Sequence, residues 1–349
     1  MKKNFKCQLC ESSKFETIQK SIRNAHFGNY INFDVDICKT CSLVQLNNFM
    51  SPEKTKNYYK YEYLMETYKY NVRPEDFIND QKFRGKEVYK FLSRNKKIFK
   101  KNISDIDLVD VGCDTGGTLD HFLKRTRSAE GADPILESVQ LATELGYKVK
   151  HGFIENLDYE DNSKDLVILL GTIEHAYDLN KALKECRRIL RPHGLIFIRW
   201  RSDNLWGSPI EYFNSNHYRY FNDYSIKYMS NKHKLDLILS SKEEIENKPG
   251  AEYFILRKSN IFKPKFKPNP DHYKKILRYF LDYNKKYLYS SIEYLSFLRE
   301  NSYDLKIARK YITQNKKNTR SLTLEEPELK RTIIEAKEFI NYYLSINDD

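Results

Sequence analysis

The feature that most constrains this chain is a glycine-rich stretch, residues 110–117, with the sequence Asp-Val-Gly-Cys-Asp-Thr-Gly-Gly. It follows a mostly apolar run, residues 106–111, that predicts a buried strand, and it precedes residues 118–123, which predict the start of a helix. An acidic strand end, a glycine-rich turn and a helix N-terminus form, in an α/β sheet, a site for a nucleotide-like ligand. The glycines let the backbone approach the ligand, and the helix N-terminus offers free N–H groups. A plain strand–helix connection is the alternative.

Predicted strands and helices alternate beyond this turn, and this alternation implies a parallel, doubly wound sheet. Asp133 ends the second strand about 20 residues past the glycines, where such a sheet presents a carboxylate to ribose hydroxyls. Two final strands, 235–240 and 252–257, predict an antiparallel hairpin that closes the sheet. The other predicted strands are 106–111, 128–133, 148–153, 165–170 and 195–200, and the predicted helices are 118–124, 135–145, 178–190 and 223–232.

Two CxxC pairs stand near the start of the chain, formed by Cys7, Cys10, Cys38 and Cys41. Each pair can place two thiolates on one ion, and two pairs complete a tetrahedral zinc site. A closed site with four thiolates is structural, because it leaves no open position for catalysis. We therefore predict a zinc-binding ribbon over residues 1–50. The remaining thiols, Cys113 and Cys186, are expected to be buried.

Residues 51–104 are predicted to connect this ribbon to the sheet. Their first part is rich in tyrosine, which suits either a lid over a bound ligand or packing between domains with the phenol groups near solvent. Residues 75–99 predict a long helix that packs against the sheet through the apolar positions Phe77, Phe83, Val88, Phe91, Leu92 and Ile98.

Taken together, these motifs resemble a class I S-adenosylmethionine-dependent methyltransferase. The paired CxxC motifs and the tyrosines ahead of the core resemble the members with an N-terminal zinc-binding domain, which include deoxysugar C-methyltransferases acting on nucleotide sugars. The resemblance covers about residues 5–258 and implies an α/β, Rossmann-like sheet over 105–260. The core pieces are the glycine-rich stretch, Gly-Ala-Asp-Pro (131–134), Glu-Asn-Leu (155–157), Asp-Leu-Val-Ile (165–168), Ile-Glu-His (173–175) and Arg-Ile-Leu-Arg-Pro-His-Gly-Leu (188–195).

The resemblance also implies which residues bind S-adenosylmethionine. Asp133 would hold the ribose, while Asp114 and Phe153 depart from the family, which usually has glycine and an acidic residue there. The other cofactor positions are Asp110, Gly112, Asp114 and Gly116 at the methionine end, Glu155 and Asn156 at the adenine, and Gly171 and Glu174 under the sulfonium.

Residues 201–221 follow the fifth strand and are expected to hold the methyl acceptor. The acceptor must lose a proton, and a histidine or tyrosine within hydrogen-bond reach can take it. His217 is our first candidate because it matches a histidine common in the family, with His175 second and Tyr212 in the same stretch. The alternative is that the histidines only tie loops down. Three arginines could bind a phosphate or carboxylate, or could lie on the surface: Arg199, Arg201 and Arg219.

Residues 261–349 predict a helical extension that covers the core or forms a homodimer contact, with a grip on nucleic acid as the alternative. The net charge of +12 permits an anionic partner, but acidic residues are interspersed with the basic ones, so we do not expect nucleic acid. We expect a cytoplasmic protein with reduced thiols, since neither a signal peptide nor a run of about 20 apolar residues is evident.

The sequence therefore leaves three alternative functions. The first is a small-molecule methyltransferase whose acceptor is a nucleotide-activated sugar or a surface-glycan precursor. The second is an RNA methyltransferase, and the third is a catalytically silent binding protein with a methyltransferase fold. The extension lacks the second α/β domain typical of the sugar C-methylating members.

Overall fold

Two β-sheets organise the chain in the computed structural model, which describes residues 5–26, 29–47, 50–63, 74–201, 213, 217–241, 251–259, 269 and 271–282. The strands, in chain order, are β1 (Phe15–His26), β2 (Asn29–Cys38), β3 (Val44–Leu46), β4 (Asp107–Val111), β5 (Ser128–Asp133), β6 (Val149–His151), β7 (Lys164–Leu170), β8 (Leu190–Arg201), β9 (Arg219–Tyr220), β10 (Leu235–Ser241) and β11 (Ala251–Lys258). The helices are α1 (Pro52–Tyr61), α2 (Pro74–Arg94), α3 (Leu136–Glu144), α4 (Leu179–Ile189), α5 (Asp223–Lys232) and α6 over residues 272–282.

The larger sheet has seven strands in the order β10-β11-β8-β7-β4-β5-β6. β4 pairs in parallel with both β5 and β7, and β8 and β6 extend the parallel set on either side. β11 is antiparallel to β8 and to β10, as the predicted closing hairpin requires. The predicted fold class is confirmed: an α/β, Rossmann-like methyltransferase sheet.

Both faces of this sheet are covered. Successive side chains of a strand point to opposite faces, so Leu108 and Val109 belong to two different apolar clusters. α4 packs on one face through Leu179 and Leu183, after Asp178 caps its N-terminus by accepting a hydrogen bond from the Lys181 backbone. The central parallel strands β4 and β7 are consequently buried on both sides.

α2 covers the opposite face, as predicted, through its last turns. Val88, Phe91 and Leu92 are buried in the second cluster, and Phe91 lies 4.2 Å from Tyr253 between ring centroids. The predicted apolar face is wrong at Phe83, which is 46% exposed.

The helix predicted after the glycine-rich stretch is also different. The chain forms a short 3-10 helix, Gly117–His121, instead of an α-helix to residue 124. The backbone N–H of Arg127 already donates to the carbonyl of Ile106 at the start of the sheet. Residues 122–125 form turns, and the chain then re-enters the sheet at β5.

The smaller sheet has the order β1-β2-β3-β9. Its first three strands come from the N-terminal region, but β9 lies in sequence between β8 and β10 of the larger sheet and pairs antiparallel with β3. A third apolar cluster packs against this sheet and includes Ile276, Leu277 and Phe280 of α6. The N-terminal ribbon thus shares a sheet with the segment predicted to hold the acceptor.

Several predictions lie outside the described residues. Among them are Tyr212, the tyrosines Tyr68 and Tyr70 of the tyrosine-rich part of residues 51–104, and residues 283–349 with their predicted homodimer contact. The predicted domain bounds of 1–50, 51–104, 105–260 and 261–349 stay predictions. Among the described helices, none combines the length and apolarity needed to cross a bilayer.

Candidate cofactor and acceptor site

The glycine-rich turn leaves β4 with three residues in the left-handed region, of which two are glycines. Gly112 has φ +76°, and a Cβ added there would lie 2.6 Å from the hydroxyl oxygen of Thr172. That hydroxyl donates to the carbonyl of Val111 over 2.8 Å, so the ends of β4 and β7 are tied together. Gly116 has φ +78° and abuts the ring of Tyr147. Both positions need glycine for conformation and for space.

A residue that the sequence did not single out holds this turn in place. Gln81 of α2 is 5% exposed, and its side-chain oxygen accepts from the Thr115 hydroxyl at 2.7 Å and from the Gly117 backbone N–H at 3.0 Å. Gln81 stands between Asp80 and Lys82 in the sequence, and nothing in that pattern distinguishes it from an exposed polar residue of the helix. The turn is fixed from the helix side as well as from the sheet.

Asp133 ends β5 beside this turn and is 4% exposed. One carboxylate oxygen accepts from the Asp114 backbone N–H at 2.7 Å, and the other accepts from the Ile135 backbone N–H at 2.9 Å. Asp114 itself has φ +50°. Burial, followed by the charge of Asp114, raises the pKa of Asp133 to about 7.

Asp110, at the end of β4, is buried more deeply. Burial and then the charge of Asp133 raise its pKa to about 8, with a hydrogen bond to Thr118 opposing the shift. Two buried acidic groups thus lie at adjacent strand ends, and burial raises the pKa of both. Strongly perturbed acids at a strand edge are typical of a functional site.

A narrow cleft of about 40 Å³ opens beside these residues. The rings of Tyr59 and Tyr177 each lie 6.2 Å from that of Phe153, so an aromatic wall stands where the family places an acid. The cleft is lined by Thr55, Tyr59, Val111, Gly112, Pro134, Gly152, Phe153, Ile154, Glu155, Thr172, His175, Ala176 and Tyr177.

The two residues predicted at the adenine pocket behave differently. Glu155 lines the cleft and is 1% exposed, and its carboxylate accepts from the Asp178 backbone N–H at 3.1 Å. Burial raises the pKa of Glu155. Asn156 is exposed, and it is not among the residues that line the cleft.

The exit loop of β7 brings the candidate acceptor residues together. The rings of His175 and His217 lie 4.8 Å apart, nearly perpendicular at 78°. The backbone N–H of Tyr218 donates to the carbonyl of Glu174 over 3.1 Å, which joins the two loops. Gly171, with φ +72°, precedes them, and a Cβ there would lie 3.7 Å from a carboxylate oxygen of Glu174.

Arg219 is a buried cation beneath this loop and is 2% exposed. Its guanidinium donates to the carbonyls of Ile173 and Glu174, each at 3.3 Å. Burial lowers its pKa to about 10, and Glu155 is the largest influence against that shift. Arg219 is therefore a support of the loop rather than a surface charge.

The four cysteines of the CxxC pairs form one cluster. Their sulfur atoms lie within 4.8 Å of one another, with Cys7 to Cys41 at 3.5 Å and Cys10 to Cys38 at 3.4 Å. Zn–S bonds of about 2.3 Å in a tetrahedron place sulfurs about 3.8 Å apart, so the donor set fits zinc.

The two CxxC turns have the same backbone form. The N–H of Glu11 donates to the carbonyl of Cys7 at 2.8 Å, and the N–H of Ser42 donates to that of Cys38 at 2.9 Å. Both donors have positive φ, at 65° and 58°. The other two thiols, Cys113 and Cys186, are buried, as predicted.

Residues 109–198 match the family described as a methyltransferase domain. This segment is therefore a methyltransferase domain, and S-adenosylmethionine is the cofactor of that class.

Two curated proteins are similar over about a quarter of this chain. The norajmaline N-methyltransferase of Rauvolfia serpentina is 32% identical over 103 residues, which are 26% of this chain and 35% of that protein. A Mycolicibacterium smegmatis protein described as "Probable S-adenosylmethionine-dependent methyltransferase" is 30% identical over 95 residues, covering 26% of this chain and 37% of the relative. The chain thus spans about a third of the length of these relatives.

Among solved structures, an S-adenosylmethionine-dependent methyltransferase from Aquifex aeolicus aligns with 16% identity and a TM-score of 0.41. The alignment covers 55% of this chain and 97% of the Aquifex aeolicus protein.

Proposed function

We propose that the protein is a methyltransferase that transfers a methyl group from S-adenosylmethionine to a small-molecule acceptor. The single observation that carries this proposal is the buried carboxylate of Asp133 beside the left-handed, glycine-rich turn, at the edge of an aromatic-walled cleft. When bound, the cofactor supplies an electrophilic methyl group on its sulfonium.

The roles of the chain's residues follow from their positions. Asp133 would accept hydrogen bonds from the ribose hydroxyls, and the turn around Gly112 and Gly116 would present bare backbone to the methionine end. Phe153 and Tyr59 would enclose the adenine by ring contact, with Glu155 behind them. Asp110, Asp114, Asn156, Gly171 and Glu174 complete the proposed cofactor set.

The acceptor is proposed to bind at the histidine pair. His175 lines the cleft, and His217 lies against it. This is where the acceptor would lose its proton, with His217 as the first candidate base and Tyr212 as a further one. A nucleotide-activated sugar or a surface-glycan precursor is the proposed acceptor, because the zinc knuckles and the tyrosines precede the core as in the resembling sugar enzymes.

The cysteine cluster is proposed to hold a structural zinc ion. Because β3 follows Cys41 closely and pairs with β9, the ion would fix the register of the strand that carries Arg219. Its role is to hold the acceptor segment against the core, with no part in proton transfer.

A labelled-methyl assay tests the proposal. The protein is incubated with methyl-labelled S-adenosylmethionine and a panel of nucleotide sugars, with total RNA as a parallel sample. Label in a nucleotide sugar is the expected result. Label in RNA alone would favour the RNA methyltransferase instead, and a cofactor that does not shift the melting temperature would indicate a silent binding protein.

A further inference from the structure

The exit loop of β7 and the segment before β9 bring a carboxylate and two imidazoles into one group. One ligand atom from each of Glu174, His175 and His217 can be chosen so that all three lie within 4.8 Å of one another. Glu174 is buried, and the two histidines are half-buried. The group is therefore shielded on the protein side and open on the other.

Two neighbouring features hold the three side chains in place. The hydrogen bond from the Tyr218 backbone to the Glu174 carbonyl fixes the spacing between the loops. The Arg219 guanidinium donates to the Ile173 and Glu174 carbonyls from beneath and so holds the backbone that carries Glu174 and His175. Metal ligands are normally oriented by such supporting contacts.

We propose that Glu174, His175 and His217 bind a divalent first-row metal ion at the mouth of the cleft. Two histidines and one carboxylate form a facial set that leaves coordination positions open. The ligand atoms of a facial set lie about 3.0–3.4 Å apart when bonds are about 2.1 Å, so side-chain rotations that move these atoms by about 1–2 Å would bring the group onto one ion.

The open positions suit an oxygen of the acceptor. His175 belongs to the cleft lining together with Gly112 and Thr172, so the ion would sit beside the proposed methyl donor. A bound cation lowers the pKa of a coordinated hydroxyl by several units. The O–H bond would then break with its electron pair left on oxygen and its proton released to water, so His217 would act as a metal ligand in place of its role as the base. The inference concerns how the proposed acceptor site works, but cation binding is measured without donor or acceptor.

Manganese is the appropriate probe. Mn²⁺ prefers oxygen and imidazole ligands and binds thiolates weakly, so it leaves the cysteine cluster undisturbed. The full-length protein, loaded with zinc and then dialysed against a mild chelator, is titrated with Mn²⁺ while free Mn²⁺ is followed by electron paramagnetic resonance. We expect one equivalent of bound Mn²⁺ per chain.

Variants then locate the site. His217→Ala should weaken Mn²⁺ binding at least about a hundredfold, because even supporting contacts of a ligand contribute ten- to hundredfold. His217→Asp should retain binding, since a carboxylate can replace the imidazole. The matched control is His193→Asn, which alters an exposed histidine with φ +66° that asparagine also tolerates.

The outcomes separate this inference from the proposed function. No saturable Mn²⁺ uptake by the wild type, or equal affinity in His217→Ala with an unchanged melting temperature, overturns the metal site and leaves His217 as a direct base. Calorimetry with S-adenosylhomocysteine on the same samples tests the cofactor separately. If Mn²⁺ binds but S-adenosylhomocysteine gives no heat of binding, the metal site is supported and the proposed function is contradicted.

Discussion

The backbone N–H of Asp114 donates to a carboxylate oxygen of Asp133 over 2.7 Å, linking the turn after β4 to the end of β5. The acid proposed to hold the ribose therefore also shapes the turn proposed to hold the methionine end. A carboxylate oxygen has two lone pairs, so it can accept this bond and one from a ligand. The apo site is organised before the cofactor arrives.

Gly112 should tolerate alanine less well than another left-handed glycine. At Gly146, φ is +86° and a Cβ would meet nothing within 4 Å, so Gly146→Ala should cost about 1–2 kcal/mol from backbone strain alone. Gly112→Ala adds a clash with Thr172 and should lower the free energy of unfolding by at least about 1 kcal/mol more. Urea unfolding of both variants measures the difference, and equal losses would contradict the close approach of β4 and β7.

The glycine-rich turn was the strongest part of the sequence prediction. An acidic strand end, glycines and Asp133 about 20 residues later follow fixed geometry, so sequence order alone placed them. The α-helix expected next is a 3-10 helix, Gly117–His121, whose first residue is held by the distant Gln81 side chain. The pairing of β9 with β3 joins distant residues, and no local pattern signals such a contact. Gln81 and Arg219 were missed as supports for the same reason.

Arg219 should matter for stability more than an exposed arginine does. Arg219→Met removes the donor to two carbonyls and the cation that faces Glu155, so we expect a loss of about 3 kcal/mol in the free energy of unfolding. Arg125→Met, at an exposed position, should change it by less than about 0.5 kcal/mol. Similar losses in the two variants would show that Arg219 does not support the loop.

The pH dependence of the free energy of unfolding should reveal the raised pKa of Asp110. Its pKa is about 8 in the folded protein and near 3.8 when unfolded, so the folded state holds an extra proton between these values. Stability therefore falls as pH rises through this window and levels off above the folded pKa. Between pH 6 and 8, the wild type should lose up to about 1.4 kcal/mol per pH unit relative to Asp110→Asn. Parallel curves for the two proteins, from denaturant unfolding at each pH, would refute a raised pKa.

The cysteine cluster should hold one zinc ion per chain. Cys38→Ala should lose most of this zinc, and the melting temperature should fall, because metal binding contributes to folding free energy. Cys186→Ala is the matched control, since it removes a buried thiol outside the cluster and should keep one equivalent. Elemental analysis of the purified proteins measures the zinc content per chain. A full equivalent of zinc in Cys38→Ala would exclude the proposed ligand set.

Calorimetric titration of S-adenosylhomocysteine tests the central claim most directly. The wild type should release heat with one equivalent bound, and Asp133→Ala and Asp133→Asn should bind at least about a hundredfold more weakly, since two hydrogen bonds to a charged group are lost or weakened. Asp271→Ala, at an exposed carboxylate remote in sequence from the cleft residues, should bind as the wild type does. Absence of heat in the wild type, or full affinity in folded Asp133→Asn and Asp133→Ala, would contradict the account.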